Sequence, residues 1–237
     1  MQLFKKIAAL VLCLASLFCC FVTASADTAA TVSDETPIGI LTIHSAPRFS
    51  NSQGGSSSSS SEIDAGHAFL SLKNTTWQSI RLGGINVAPG AECTIGTWDI
   101  SAHQGIWYNL ESYAINHKGK MPNRVSLSMP VSSVQLERIN SYIDSHDSWS
   151  LLRNCADFAG RIWNSVSMTK LTGDTPSNLA KSINGKLGSQ INSPVPDASF
   201  YGYVDGLIFR SVNPANIITD ATTSTVMIVP IEEDVSL

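Results

Sequence analysis

The sequence contains little charge of either sign. Only 14% of its 237 residues are charged, and 15 basic and 19 acidic residues give a formal net charge of -4. A chain with this balance lacks the basic patch that binds nucleic acid or an anionic membrane surface. We therefore expect neither partner.

Several well-defined catalytic motifs are also missing. The sequence has no G-x-S-x-G elbow, H-E-x-x-H pair, phosphate loop or dinucleotide fingerprint. Its five histidines and its cysteines do not have the spacing of metal ligands. We expect no metal and no cofactor, and thiol chemistry is the one candidate that two motifs support.

Long apolar runs are confined to the N-terminus, MQLFKKIAALVLCLASLFCCFVTASA. Lys5 and Lys6 precede the run, and the small residues Ala24 to Ala26 follow it directly, which is the pattern of a signal peptide. An uncleaved membrane anchor is the alternative. We expect cleavage before Asp27, a secreted extracellular product and no stable membrane anchor after cleavage, since no stop-transfer stretch follows.

Cysteine is scarce in the mature chain. Three of the five cysteines lie within residues 1–26, which leaves Cys93 and Cys155. Two cysteines in a domain of this size do not make a disulfide scaffold, and they allow one bridge or none.

The remaining chain divides by composition. Residues 27–36 are small and polar and predict a linker, and residues 37–215 predict one α+β domain. Within it, the Gly/Ser tract at 51–62 predicts a mobile loop. Residues 216–237 predict a last strand and an acidic tail.

Hydrophobic periodicity places the elements of this domain. Alternating apolar residues predict strands, and apolar residues at helical spacing predict helices. The predicted strands cover 37–45, 66–74, a meander over 77–98, 124–129 and 200–209, and the predicted helices cover 132–144, 155–166 and 177–183.

The stretch LLRNCADFAGRIWNSV places Cys155 at the start of a helix, with Asn154 as its N-cap. Unpaired N–H groups and the partial positive charge at a helix N-terminus favour a thiolate and can receive an oxyanion. The same cysteine lies on the apolar stripe of the helix, so disulfide partner and buried filler stay open beside nucleophile.

His67 follows Gly66 at the start of the strand GHAFLSL, whose opposite face is apolar. If the Cys155 helix packs on the sheet with its N-terminus at that end, the imidazole reaches the sulfur. It would then take the proton of the thiol and later give it to a leaving group.

Together, GHAFLSL and NCADFAGRIW resemble the two catalytic signatures of the papain-like amidase superfamily. NlpC-type cell-wall peptidases of that superfamily carry a cysteine at a helix start and a histidine at a strand start. Here the histidine comes 88 residues before the cysteine (155 minus 67), so the chain resembles the circularly permuted branch that includes lecithin:retinol acyltransferase-like proteins. The resemblance covers roughly residues 66–166.

The resemblance implies an antiparallel sheet packed against helices, with the histidine strand before the cysteine helix. It also implies a Cys155 nucleophile, a His67 base and a third polar residue that orients the imidazole. Permuted relatives supply that residue from the next strand, about a dozen residues on.

The third residue is where the sequence departs from the family. Ser79 and Arg81 occupy the expected region, and neither is a natural acceptor for an imidazole N–H. His103, in a loop between predicted strands, is the best substitute, with Asn109 and Glu111 as alternatives.

The predicted substrate-binding residues lie beside these groups. Trp107 and Tyr108, together with Trp98, could wall the site or serve as core aromatics, and Asn154 adjoins the nucleophile.

These residues predict a secreted cysteine hydrolase, a peptidase or amidase that cleaves amide bonds in peptides or in the peptide stems of a cell wall. Three alternatives stay open. They are a non-catalytic extracellular binding or structural module on the same scaffold, a cysteine acyltransferase, and a secreted effector with the same mechanism and another target.

Overall fold

The computed structural model of the protein describes residues 36–47 and 66–218. The predicted signal peptide, the Gly/Ser loop, and all but three residues of the predicted C-terminal strand and tail lie outside these ranges. The described residues all belong to one unit, Thr36–Leu237. Within the described ranges, no helix has the length and apolar character needed to cross a membrane.

An eight-stranded antiparallel sheet dominates the described residues. Its spatial order is β10-β9-β6-β5-β2-β1-β7-β8, and β3 and β4 form a separate hairpin. The strands are β1 (Gly39–Ala46), β2 (His67–Asn74), β3 (Ile80–Leu82), β4 (Ile85–Val87), β5 (Glu92–Ile100), β6 (His103–Tyr108), β7 (Val125–Val131), β8 (Gln190–Ile191), β9 (Gly202–Asp205) and β10 (Ile208–Ser211).

Four α-helices accompany the sheet in the described ranges. They are α1 (Leu110–Asn116), α2 (Ser133–Ser145), α3 (Cys155–Val166) and α4 (Pro176–Asn184), and a 3-10 turn spans Pro214–Asn216. Ser132 starts α2 with the predicted capping box, since its side chain accepts from Gln135 N and the Gln135 side chain accepts from Ser132 N.

Each face of the sheet carries a hydrophobic cluster, because alternate residues of a strand point to opposite faces. On β2, Leu70 and Leu72 pack with the apolar stripe of α3, whereas Phe69 packs with Trp107 and with Leu110 of α1. The sheet therefore lies between two layers, which explains why β1 and β2 are buried almost throughout.

The predicted α+β class with a large antiparallel sheet is confirmed, and so are the three predicted helices and the strands predicted over 37–45, 66–74, 77–98 and 124–129. Four of the described elements were not predicted: the short helix α1, the strands β6 and β8, and the 3-10 turn. His103, which the sequence placed in a loop, is the first residue of β6. The run at 200–209, predicted as one strand, instead supplies most of the hairpin β9-β10, because the chain turns at Gly206, whose φ of 64° is left-handed.

A buried histidine links the central strands. His44 on β1 is 1% exposed, and its Nδ1 and Nε2 lie 2.7 Å from Ser126 Oγ and 3.1 Å from Ser71 Oγ. Burial, and then the charge of Arg124, lower the pKa of His44 to about 3. The ring is therefore neutral in the folded protein at any ordinary pH.

We expect His44 to make stability sensitive to acid. The unfolded chain protonates this histidine near pH 6.5, whereas the folded chain does so only near pH 3, so acid favours unfolding across that window. For one proton the free energy of unfolding falls by about 1.4 kcal/mol per pH unit. Denaturant titrations at pH 6.5, 5.5 and 4.5 give the free energy of unfolding, which should fall less steeply with decreasing pH for His44→Gln than for the wild type. An equal dependence on pH in the two proteins would contradict the assignment.

Candidate active site

The cysteine of the site occupies the first position of α3. The Asn154 side-chain oxygen accepts from the N–H groups of Ala156 and Asp157 at 2.9 and 3.1 Å, and its amide donates to Asp174 O at 2.9 Å. The cap thus fixes where the helix begins and leaves the Cys155 N–H, at the first helical position, without an acceptor inside the helix.

The histidine of the site stands where two strands part. β2 pairs with β5 only as far as Leu70 opposite Ile95, although both strands continue beyond that pair. His67 begins β2 after Gly66, whose φ of 92° excludes most other residues. Its imidazole stacks on Trp98 with ring centroids 4.0 Å apart.

Glu111 is the third member of the site. Its Oε1 lies 3.0 Å from His67 Nε2 and accepts from Trp98 Nε1 at 2.8 Å, and its Oε2 accepts from Thr94 Oγ1 at 2.9 Å. The side chain is 0% exposed, and a buried carboxylate persists only when donors of this kind satisfy it.

A tight turn carries Glu111 to this place. Asn109 adopts a left-handed φ of 65°, which asparagine tolerates better than most residues, and reverses the chain between β6 and α1. Its Oδ1 accepts from Thr94 N at 3.0 Å and its Nδ2 donates to Phe200 O at 3.0 Å. The turn sets α1 over the sheet with Glu111 in its first turn, facing β5 and His67.

Cys155 and Glu111 both act on the charge of His67. Burial alone lowers the pKa of His67, but the charge of an ionised Cys155, a hydrogen bond to that cysteine and the carboxylate of Glu111 outweigh burial and raise it. With Nε2 directed at Glu111, Nδ1 is the ring nitrogen left for the sulfur. The raised pKa of His67 favours a protonated imidazole.

Glycine at position 96 makes room for this chain. A methyl group on Gly96 would overlap Glu111 Oε1 and come within 3.1 Å of His67 Nε2. The close approach of the carboxylate and the imidazole therefore depends on the absence of a side chain on β5 at this point.

His103 is not the residue that orients His67, contrary to the sequence-based expectation. Its Nε2 lies 2.9 Å from Asp147 Oδ1, and its ring stacks on Tyr203 with centroids 4.5 Å apart. Because β6 is separated from β2 by β5, His103 contacts a different part of the molecule.

The residues expected to bind substrate have structural roles. Trp107 and Tyr108 are 0% and 2% exposed, and their polar atoms bond to His103 O and to Gly84 N. The side-chain oxygen of Asn154 caps α3, and its side-chain nitrogen donates to Asp174 O. Trp98, in contrast, does wall the site by stacking on the histidine.

The two cysteines of the domain are both free and buried. Cys93 donates to Thr94 O at 3.3 Å, so the possible bridge between Cys93 and Cys155 is absent. The described ranges also contain no group of three or more His, Cys, Asp or Glu side chains placed to hold a metal ion.

Cys155 and Glu111 carried different signals in the sequence. Cys155 could be placed at a helix start because its cap and apolar stripe are local. Glu111 was only an alternative for the third position, since helix α1 was not predicted. The usable signal was an acidic residue inside the otherwise apolar stretch GIWYNLESYAI.

Compared with family models, with curated proteins and with solved structures, the chain matches none.

We expect Glu111→Gln to lower the pKa of His67, because the carboxylate's hydrogen bond and charge help to raise it. The ring should then lose its proton at a lower pH than in the wild type, as measured by NMR titration of its C–H resonances. Asp147→Asn is the matched control, since Asp147 contacts His103 and not His67. An unchanged His67 titration in Glu111→Gln would contradict the assigned role.

We expect Gly96→Ala to slow the alkylation of Cys155, because the added methyl group displaces the Glu111 carboxylate from His67. Gly160→Ala, on α3 with open space around the added methyl group, should leave the rate unchanged. The measurement is the rate of iodoacetamide labelling at pH 7, and equal rates for both variants would contradict the packing argument.

Proposed function

We propose that this protein is a secreted cysteine hydrolase that cleaves amide bonds in peptides or in cell-wall peptide stems. The observation that carries the proposal is the placement of His67 between the sulfur of Cys155 and the carboxylate of Glu111. A cysteine, a histidine and a carboxylate in this order are the parts needed for nucleophilic acyl transfer.

In the proposed reaction the Cys155 thiolate attacks the carbonyl carbon of the substrate and forms a carbon–sulfur bond. The imidazolium of His67 gives its proton to the departing amine as the carbon–nitrogen bond breaks. His67 then takes a proton from water, whose oxygen attacks the thioester and releases the acid and the thiolate.

The helix start and the buried acid have separate parts in this reaction. The Cys155 N–H lies beside the sulfur and can donate to the oxyanion that forms on the attacked carbonyl. Glu111 keeps the imidazole in one orientation and stabilises its charge, so it acts on the substrate only through His67.

The order of the elements supports a circularly permuted papain-like scaffold. The histidine strand β2 precedes the cysteine helix α3, and α3 packs on the sheet that contains β2. The source of the carboxylate differs from the resemblance, because Glu111 comes from a helix that follows β6, while Ser79 and Arg81 lie beside or on the separate hairpin. The scaffold would thus carry the residue that orients the histidine on helix α1 instead of on the strand after β2.

A non-catalytic binding or structural module is the second candidate. Cys155 and His67 are only 8% and 4% exposed, and a substrate carbonyl needs access to the sulfur. An acyltransferase would use the same three groups and differ only in the acceptor of the acyl group.

We expect iodoacetamide at pH 7 to label Cys155 rapidly and to spare Cys93, whose pKa burial raises. His67→Asn should slow the labelling of Cys155 about tenfold or more, because an unassisted cysteine is only a few per cent thiolate at this pH. Mass spectrometry of the digested protein separates the peptides that contain Cys155 and Cys93 and makes Cys93 an internal control.

The same preparations test the reaction itself. Incubation with soluble cell-wall peptides and with a casein digest in ¹⁸O-labelled water should give ¹⁸O in the new carboxyl groups, and none with Cys155→Ala. Added hydroxylamine reports transfer, since hydroxamate in place of the labelled acid identifies an acyltransferase. If Cys155 is labelled no faster than Cys93 and neither peptide substrate is cleaved, the hydrolase hypothesis is overturned in favour of the binding module.

A further inference from the structure

A cavity of about 160 Å³ lies beside the first turn of α3. Its lining comes from the end of α2, from the connection to α3 and from α3 itself, with Phe158 as an apolar wall. Since a water molecule occupies about 30 Å³ in the liquid, the space suits a short polar arm of a ligand, such as a carboxymethyl or carboxyethyl group.

The charged residues of the cavity leave one cation uncompensated. Arg161 Nε donates to Asp157 Oδ1 at 2.6 Å, which pairs those two charges. Arg153 also lines the cavity, and within the described part of the chain no side chain bonds to its guanidinium. One guanidinium, with donors in a planar fork, therefore remains available for an anion.

A phenol, an imidazole and a serine complete the lining. Tyr142 and His146 stack with ring centroids 3.9 Å apart, and His146 Nδ1 donates to Tyr142 O at 2.9 Å. Burial and then the charge of Asp157 raise the pKa of Tyr142, while the charges of Arg161 and Arg153 oppose that rise, so all three charges act on the phenol. The Tyr142 and Ser148 hydroxyls line the same space and can donate to a ligand oxygen.

The cavity lies at the same end of α3 as the nucleophile, since Asp157, Phe158 and Arg161 of its lining belong to the first two turns of that helix. Asp157 lies two residues after Cys155 on α3, about 3 Å further along the helix axis at 1.5 Å per residue, and Arg153 comes two residues before Cys155, just outside the helix. An extended peptide advances about 3.5 Å per residue, so a side chain one or two positions from a carbonyl at Cys155 can reach this space.

We propose that this cavity binds a carboxylate of the substrate through Arg153, so that cleavage is favoured next to an acidic residue. The substrate assignment rests on the proposed hydrolase, whereas the binding of a carboxylate does not. Arg153 is then a specificity-determining residue that selects the bond presented to Cys155.

The binding test uses the full chain carrying Cys155→Ala and two matched probes, N-acetylglutamate α-amide and N-acetylglutamine α-amide. Titration followed by NMR should show tighter binding of the charged probe. Arg153→Gln should weaken that binding about fivefold or more, and Arg153→Lys should restore part of it, because lysine keeps the charge without the planar fork.

Arg138→Gln is the control, since Arg138 is an exposed arginine of α2 outside the cavity. It should leave the affinity unchanged. Equal binding of the two probes, or equal effects of Arg153→Gln and Arg138→Gln, would overturn the carboxylate site.

The link to the nucleophile is tested with the intact cysteine. Anionic iodoacetate and neutral iodoacetamide both alkylate Cys155, and Arg153→Gln should lower the ratio of their rates by about fivefold if Arg153 attracts the anion. A ratio that Arg153→Gln does not change, with carboxylate binding present, would overturn the role in substrate choice. A Cys155 that reacts with neither reagent would overturn the hydrolase and leave the binding result standing.

Discussion

The buried hydrogen bond between His67 and Glu111 is the interaction on which the rest of the site depends. A carboxylate with no exposure to water is costly unless donors surround it, and here an imidazole, an indole and a hydroxyl do so. The indole of Trp98 also covers the imidazole. The acid therefore fixes the position and the charge of the histidine together.

The architecture of the sheet makes that bond possible. His67 shares its face of β2 with Phe69, toward α1, whereas α3 packs on the opposite face. The strands β2 and β5 stop pairing before His67, and this is the end of the sheet at which the histidine meets the start of α3. Gly96 on β5 supplies the remaining space.

The same helix start serves two purposes in our interpretation. Its first residue carries the sulfur, and the residues around it line a cationic cavity with Arg153 unpaired. Because Arg153 and Cys155 are only two residues apart, on either side of the N-cap, a substrate held by a carboxylate would present a defined bond to the thiolate. Reaction and selection would then follow from one element rather than from separate loops.

Local patterns predicted much of this arrangement. The alternation in β2, the cap at Asn154 and the apolar stripe of α3 depend on residues within a few positions of one another, so the sequence was sufficient for them. The sequence was not sufficient for β6 and α1, because a left-handed Asn109 turns the chain within one largely apolar stretch. The turn interrupts both the alternation typical of a strand and the apolar spacing typical of a helix. The misplacement of His103 followed from that failure.

The sequence by itself determined which residue types could react and on which local elements they lie: a cysteine at a helix start and a histidine at a strand start. Only the tertiary structure decided that Glu111 contacts His67, because 44 residues separate them. The contact requires the turn at Asn109, the absence of a side chain at Gly96 and the end of pairing between β2 and β5 before His67. Periodicity reports the environment of a residue along its own element. It carries no information on which distant element supplies that environment.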